Sequence, residues 1–596
     1  MAVSSSLQTS LAERGANRGL RRYLPFLGWL LHYRRVDLPS DLVAGLVTAI
    51  MLIPQSMAYA QLAGLPPQVG LYASVAPLAI YALLGTSGQL SVGPVAITSL
   101  AVFAGVSALA EPGSPRYLEL VLLLALIVGV VKLGLGILRL GFVMNFVSHP
   151  VLAGFTSASA LIIAAGQLKY LLGYRIEGER FHEVLIHAAA GIGQTNPVTL
   201  AIGLGSVVLL LLFRSRLKPF LQQHTRLPAA ATTLIVSGAP LLTVLSGILA
   251  TWLWRLDETA GVRVVGAIPQ GFVPLTLPAL SLVDAQALLP TALTIVFISV
   301  VESIAVAKAL ASKRRKAIDA DQELVALGAA NLTASVTGGY PVTGGFARSV
   351  VNDQAGAVTG LASLVTAASI GVIVLWFTPL FYYLPQAVLA ATVIVAVLSL
   401  FKPGEARHIW RMNRTDALTW GVTFAAVLLL GIEAGILAGV ALSLLLFLWR
   451  TSRPHIAVVG RVGQTEHFRN ILRHQVQTWP HVVAVRVDES LYFANTRYLE
   501  DALLHIIAER PDVRHLVLIG SAINFIDASA LETLEALVRE LRAAGVELHL
   551  AEIKGPVMDQ LQRAGFVEHL GPEHIHLSTH QAMLALGCTY SKVQND

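Results

Sequence analysis

Apolar runs close to the length of a bilayer crossing, or longer, recur from Asp41 to Trp449. Such runs read as membrane-spanning helices. Fourteen hydrophobic elements follow one another, near 42–61, 69–85, 94–110, 117–138, 149–172, 197–213, 228–252, 286–311, 323–338, 346–357, 358–377, 384–401, 416–430 and 432–449. The elements at 94–110 and 346–357 are too short to cross alone. Only 13% of the 596 residues are charged, against 55% hydrophobic, and the mean hydropathy is +0.67. A soluble chain of this length carries about twice that charged share. The expected fold is an α-helical polytopic membrane protein.

Basic residues collect at span ends and set the orientation. Arg14, Arg18, Arg21, Arg22, Arg34 and Arg35 precede the first span, and Arg214, Arg216, Lys218 and Arg226 fill one loop. Lys313, Arg314, Arg315 and Lys316 fill another, and Lys402, Arg407, Arg411 and Arg414 a third. Fourteen crossings put all of these on the cytoplasmic side, with both termini inside and 1–40 as a cytoplasmic N-terminal segment. The net charge of +6 is thereby accounted for, and no nucleic-acid partner is expected. The first 20 residues are polar, so no signal peptide is expected. Cys588 is the single cysteine, which excludes a disulfide framework and a cysteine-based metal site.

After Arg453 the pattern changes. "HVVAVRVD", "HLVLIGS" and "VELHLAEI" read as strands, "ALETLEALVRELRAAG" as an amphipathic helix, and Pro556 to Ala564 as another helix. Alternating strands and helices predict a soluble α/β domain over 454–590. Asp527 is placed to cap the helix that carries Ser529. "HIH" puts His574 and His576 on one strand face. With no third ligand in view, they are expected to be solvent-exposed, and no metal site or cofactor is expected.

The membrane part repeats itself. "QSMAYAQLA" from Gln55 matches "ESIAVAKALA" from Glu302, an offset of 302 − 55 = 247. "SVGPVAITS" from Ser91 matches "VTGGFARSV" from Val342 with Pro94 on Gly345, an offset of 345 − 94 = 251. Two matches at nearly one offset indicate duplicated halves of seven spans. Seven is odd, so the second half enters from the opposite side, which makes an inverted repeat.

Both later segments join a Gly/Pro-rich piece, "GTSGQLSVGP" or "GGYPVTGG", to a short helix. Broken backbone at membrane depth survives only where it lines a protein cavity. Inverted symmetry then points two helix N-termini at each other, where unpaired N–H groups and positive dipole ends suit an anion. Arg348 stands in the first turn of the second short helix and adds its charge there. Burying an arginine centrally costs at least ~2.5–3.5 kcal/mol, which a bound anion would offset. The competing reading is an arginine that snorkels to the interface or pairs with a structural acid. Gln55, a neutral donor, and Tyr59, one turn on, would face the same site. Glu302 is a carboxyl in an apolar span. It reads either as a proton carrier or as the structural partner of Arg348.

These residues resemble the sulfate permease (SulP) family of anion transporters. The resemblance rests on "IPQSMAYAQLAGLPPQVGLYAS", "GTSGQLSVGPVA", "GFTSASALIIAAGQLKYLLG", "VVESIAVAKALASK", "DADQELVALGAANL" and "VTGGFARSVVN". "VRVDESLYFANTRYLED" and "AINFIDASALETL" resemble a STAS domain. The resemblance implies a transport domain over 41–450, with fourteen spans in two inverted seven-span repeats. Spans 1–4 and 8–11 would form a mobile core, and spans 5–7 and 12–14 a gate. It carries an anion site over to Gln55, Tyr59, Val95, Gly345, Phe346, Ala347 and Arg348, and a proton- or sodium-coupling role to Glu302. Many members have serine where this chain has Gly345 and Ala347, which bears on which anion is carried. The serine matching Ser529 can be phosphorylated in related STAS proteins.

The expected function is secondary active transport of a small inorganic oxyanion, sulfate foremost and proton-coupled, by movement of core against gate. The protein would sit in the cell inner (plasma) membrane as a homodimer joined through the STAS domain and gate spans. Alternatives are a bicarbonate or dicarboxylate transporter, a passive anion channel, or a sensor whose output is the STAS domain. The sequence holds no P-loop, HExxH or G-x-S-x-G motif, and an enzyme is not expected.

Overall fold

The computed structural model describes residues 24–142, 148–176, 178, 180–213, 217, 238–272, 275–398 and 400–588. Arg14, Arg18, Arg21, Arg22, Arg214, Arg216, Lys218 and Arg226, and positions 228–237 of the seventh element, lie outside the described residues. The chain forms two compact units, Met1–Ser443 and Leu444–Asp596.

Each of the fourteen apolar elements contains a helix. The first seven are α1 (Leu38–Leu62), α2 (Pro67–Leu84), α3 (Ala96–Ser107), α4 (Pro115–Ile137), α5 (His149–Leu172), α6 (Pro197–Leu212) and α7 (Ala239–Trp254). The second seven are α8 (Leu282–Lys313), α9 (Ala320–Val336), α10 (Phe346–Gln354), α11 (Leu361–Val372), α12 (Gln386–Leu398), α13 (Arg414–Leu430) and α14 (Ile432–Thr451). Among the described residues, 7 helices are long and apolar enough to cross a membrane, and four more are apolar but shorter. The protein is a multi-pass membrane protein. The two elements too short to cross alone, α3 and α10, have only 12 and 9 residues.

Helices of the first half pack on helices of the second. α4 lies along α9, α1 along α10 and α11, α2 along α9, and α8 against α3 and α4. Separately, α5 packs on α13 and α12, and α6 on α12. The close approaches use small residues, as expected where lipid supplies no hydrophobic drive between helices. A Cβ on Gly328 would stand 2.6 Å from the Leu133 backbone nitrogen, and one on Gly45 2.6 Å from the Ala362 carbonyl oxygen.

Two buried carboxylates tie the halves together. Asp41, in α1, accepts from the backbone N–H groups of Val358 (2.7 Å) and Thr359 (3.1 Å) and from the Thr359 hydroxyl (2.6 Å). Glu323, in α9, accepts from the Tyr81 hydroxyl (2.8 Å) and from the N–H groups of Thr86 (2.6 Å) and Ser87 (3.2 Å). Each half thus satisfies broken backbone in the other.

The second unit is a six-stranded sheet: β3 (Ile456–Arg461), β4 (Phe468–Asn470), β5 (Val482–Val487), β6 (His515–Ile519), β7 (Glu547–Ala551) and β8 (Ile575–His576), ordered β4-β3-β5-β6-β7-β8. Strands β5 to β8 run parallel. The longer helices that follow are α15 (Thr496–Ala508), α16 (Ala528–Ala543), α17 (Gly555–Arg563) and α18 (Thr579–Ala585). Leu534, Leu537 and Leu541 of α16 pack on Val485, Leu516 and Leu548 of the sheet. Asp527 caps α16, accepting from the Ala530 N–H at 2.8 Å. Ser529 is exposed.

The expectation for "HIH" is corrected. β8 holds only Ile575 and His576, while His574 ends the 3₁₀ turn Pro572–His574. Neither imidazole stands free in solvent, because parallel pairing brings β7 and its buried His549 alongside. Burial, then the imidazoles of His574, His515 and His576, push His549 down to about 3. These partners lie 25 to 34 residues from His549 in the chain (574 − 549 and 549 − 515), where local spacing gives no hint of them.

Candidate functional site

The two Gly/Pro-rich pieces meet as a short antiparallel bridge. Strand β1 (Val92–Gly93) pairs with β2 (Thr343–Gly344), Val92 opposite Gly344 and Gly93 opposite Thr343. Such a bridge is two-fold symmetric. Its paired residues are 252 and 250 positions apart (344 − 92 and 343 − 93), on either side of the sequence offset of 251.

Each strand runs into a helix tip. Val95 is the N-cap of α3 and Gly345 of α10, both extended, and neither helix has a side-chain cap. First-turn N–H groups are therefore left without the usual internal acceptors. Phe346 and Ala347 are exposed and Val95 is half-buried, while Ala96 and Ile97 of the α3 tip are buried.

Arg348 is 2% exposed. Its guanidinium donates to the Pro94 carbonyl and, at 3.5 Å, to that of Ser91. The arginine of the second half thus closes on the strand end of the first, and Gly345 N–H donates to Ser91 O at 3.0 Å beside it. The side chain is buried within the protein, and among the described residues no carboxylate lies within ion-pair distance of it. A Cβ on Gly345 would stand 2.8 Å from Arg348 Nη2 and 2.9 Å from Cζ. The glycine is the space the guanidinium folds into.

Gln55 and Tyr59 are buried on α1, directly after Pro54. Leu52, one turn before Gln55, lies 3.7 Å from where a Cβ of Gly93 would be, which sets this stretch of α1 beside the bridge. Tyr59, Glu302 and Arg348 are within electrostatic reach of one another. Glu302 Oε2 and Arg348 Nε are buried without a hydrogen-bond partner among the described residues, as are Ser91 Oγ and Thr98 Oγ1. Buried polar atoms are rarely left so, and here they gather around the helix tips.

Sequence reasoning missed the residues that hold the broken backbone. Asn331 accepts from Val342 N–H at 2.9 Å and donates to Val342 O at 3.0 Å. Ser303 accepts from Gly344 N–H at 2.9 Å, and Ser349 from Ser91 N–H at 2.9 Å. Lys132, fully buried, donates to Val342 O at 3.4 Å. The available signal was the presence of a lysine and an asparagine inside otherwise apolar spans.

A model of the sulfate permease family matches residues 38–423. The chain belongs to that family. A STAS-domain model matches residues 473–582. Among similar members of the sulfate permease family is "Sulfate transporter 4.1, chloroplastic" of Arabidopsis thaliana, 37% identical over 574 residues, covering 94% of this chain and 82% of that one. A probable sulfate transporter of Mycobacterium tuberculosis is 34% identical over 555 residues, covering 93% and 96%. Among solved structures, the murine Solute Carrier 26 family member A9 anion transporter in its inward-facing state superposes with a TM-score of 0.87 at 26% identity, covering 95% of this chain and 94% of that one.

Proposed function

We propose that this protein is a secondary active transporter of a small inorganic oxyanion, sulfate foremost, and not an enzyme. The observation that carries the reading is the pair of uncapped helix tips at the ends of the bridge, with Arg348 buried between them. Dipole ends, free N–H groups and a guanidinium together make a site for an anion. Gln55, Tyr59, Val95, Gly345, Phe346, Ala347 and Arg348 would line it. Relatives named as sulfate transporters support the choice of sulfate. Gly345 and Ala347 offer no hydroxyl, so selection among oxyanions rests on backbone N–H groups and Arg348.

Spans 1–4 and 8–11 form the core in this reading, and spans 5–7 and 12–14 the gate. The division is supported by how α1–α4 pack among α8–α11, while α5 and α6 pack on α12 and α13. Alternating access moves the core, with its anion, past the gate. Glu302, a carboxyl with an unpartnered oxygen near Arg348, is the proton carrier. Its protonation removes a negative charge beside an arriving dianion, so loading strengthens as pH falls. The protein works as a homodimer in the inner (plasma) membrane with both termini cytoplasmic, and Ser529, exposed on the STAS domain, is the regulatory candidate.

The test is radiolabelled sulfate uptake into proteoliposomes, with unlabelled bicarbonate and dicarboxylates as competitors. Arg348→Ala should weaken anion binding by about 2–5 kcal/mol, the usual cost of removing one partner of a buried charge pair. Retained affinity overturns the site. Glu302→Gln should transport with little pH dependence, and a wild-type pH profile in that variant removes Glu302 as the coupler. Currents far above transporter turnover would instead mark a channel.

A further inference from the structure

Strands β6 and β7 start side by side, His515 opposite Glu547. Side chains two apart share a strand face, so Glu547 and His549 point the same way, toward His515. The turn into β8 brings His574 to the same point. His515 Nδ1 lies 3.3 Å from Glu547 Oε2 and 3.2 Å from His549 Nε2. Glu547 Oε2 lies 3.9 Å from His549 Nε2 and 3.8 Å from His574 Nε2.

Zinc–nitrogen bonds of about 2.0–2.1 Å in a tetrahedron place ligand atoms about 3.3–3.4 Å apart. Two of these four separations match that edge and two exceed it by about half an ångström, and the ligand atoms of His515, Glu547 and His549 all lie within 4.8 Å of one another.

The outer partners are also present. A metal-bound imidazole characteristically hydrogen-bonds through its other nitrogen to a fixed acceptor. His549 Nδ1 is 3.3 Å from His576 Nε2, and Glu573 Oε1 stands 3.4 Å from His574 Nδ1 without hydrogen-bond geometry, a short rotation from being its acceptor. Gly571 holds the turn at φ +99°, and a Cβ there would come within 2.5 Å of Glu573 Oε1 and 2.9 Å of His574 Nδ1. The turn is therefore shaped to leave that outer pair room. Access comes from Glu547, whose side chain is 55% exposed, while that of His549 is 6% exposed.

We propose that His515, Glu547 and His549, whose ligand atoms already lie together, bind a divalent transition-metal ion of the zinc class, with His574 turning in from beside Glu547 as the fourth ligand. Three imidazoles and one carboxylate suit zinc by ligand type. With all four positions filled by the protein, the site is structural and not catalytic. The ion fastens the short strand β8 to the edge of the sheet.

The test uses the full-length protein in detergent with an affinity tag free of histidine. The protein is stripped with a chelator and then titrated with zinc chloride against a chromophoric competitor, with bound metal counted by elemental analysis. Wild type should hold one more tight equivalent of zinc than Glu547→Gln or His574→Gln, each of which should lose at least tenfold in affinity. Glu573→Gln, which alters only an outer partner, should lose about tenfold. His505→Gln, an exposed imidazole on α15, should change nothing. Cobalt in place of zinc should give tetrahedral d–d bands that vanish in Glu547→Gln. His549 is buried in the sheet, so the decision rests on Glu547 and His574, which stand at its edge. Absence of tight zinc in wild type, wild-type affinity in both of those variants, or an octahedral cobalt spectrum overturns the proposal.

Discussion

At the residue scale, the arginine and the glycine three positions before it form one unit. Arg348 folds back over Gly345 and bonds Pro94 O, so position 345 sets where the guanidinium lies. Gly345→Ser adds a Cβ where the guanidinium now sits. The expected outcome is a displaced arginine and an altered order of anion preference, read by competition against labelled sulfate. An unchanged order together with unchanged sulfate affinity would mean the guanidinium position does not govern selection. Cys588 gives a second prediction at this scale. Burial, opposed by nearby Arg461, pushes its thiol up to about 11. A rise of two units from the ordinary value of 9.0 leaves roughly a hundredfold less thiolate at pH 8. Alkylation of the native protein should be at least that much slower than in denaturant. Because Cys588 is the single thiol, mass spectrometry reads the reaction directly.

At the element scale, α4 and α9 touch backbone to backbone. A Cβ on Gly129 would stand 2.8 Å from Leu332 N, and one on Gly328 2.6 Å from Leu133 N. Gly328→Val should therefore cost about 1–3 kcal/mol by overpacking and lower the thermal midpoint of the purified protein. An equal midpoint would show that the helices can separate without loss. The sequence carried a good deal at this scale. Apolar length placed all fourteen helices, and Gly/Pro clusters marked the breaks before Val95 and Phe346. The sequence offset of 251 falls between the offsets of the two paired positions of the bridge, 250 and 252. What could not be read was the set of contacts that depend on distant elements meeting. Asn331 and Ser303 hold the backbone at 342–344, Arg348 bonds carbonyls of the other half, and His515, His549 and His576 converge from three strands. Periodicity reports which face of an element is apolar; it does not report which neighbour that face meets.

At the scale of the whole transport unit, the two halves are interlocked in one set of helices and only abutted in another. Asp41 binds backbone at 358–359, Glu323 binds backbone at 86–87, and the bridge pairs 92–93 with 343–344. Opening any of these would strand buried polar groups, each at about 1–3 kcal/mol, so α1–α4 and α8–α11 should move as one body. α1 also lies against α7 and α12, where among the described residues no side-chain hydrogen bond joins the helices. Relative motion is therefore cheapest along that surface. Cysteine pairs introduced there test the division, because the native thiol is buried and slow. A disulfide between α1 and α12 should stop sulfate uptake, leave sulfate binding intact and be reversed by reductant. A disulfide between α1 and α11 should leave uptake within about twofold of wild type, since it joins helices that already travel together. If the second bridge blocks transport and the first does not, the moving body has a different boundary, running between α1 and α11.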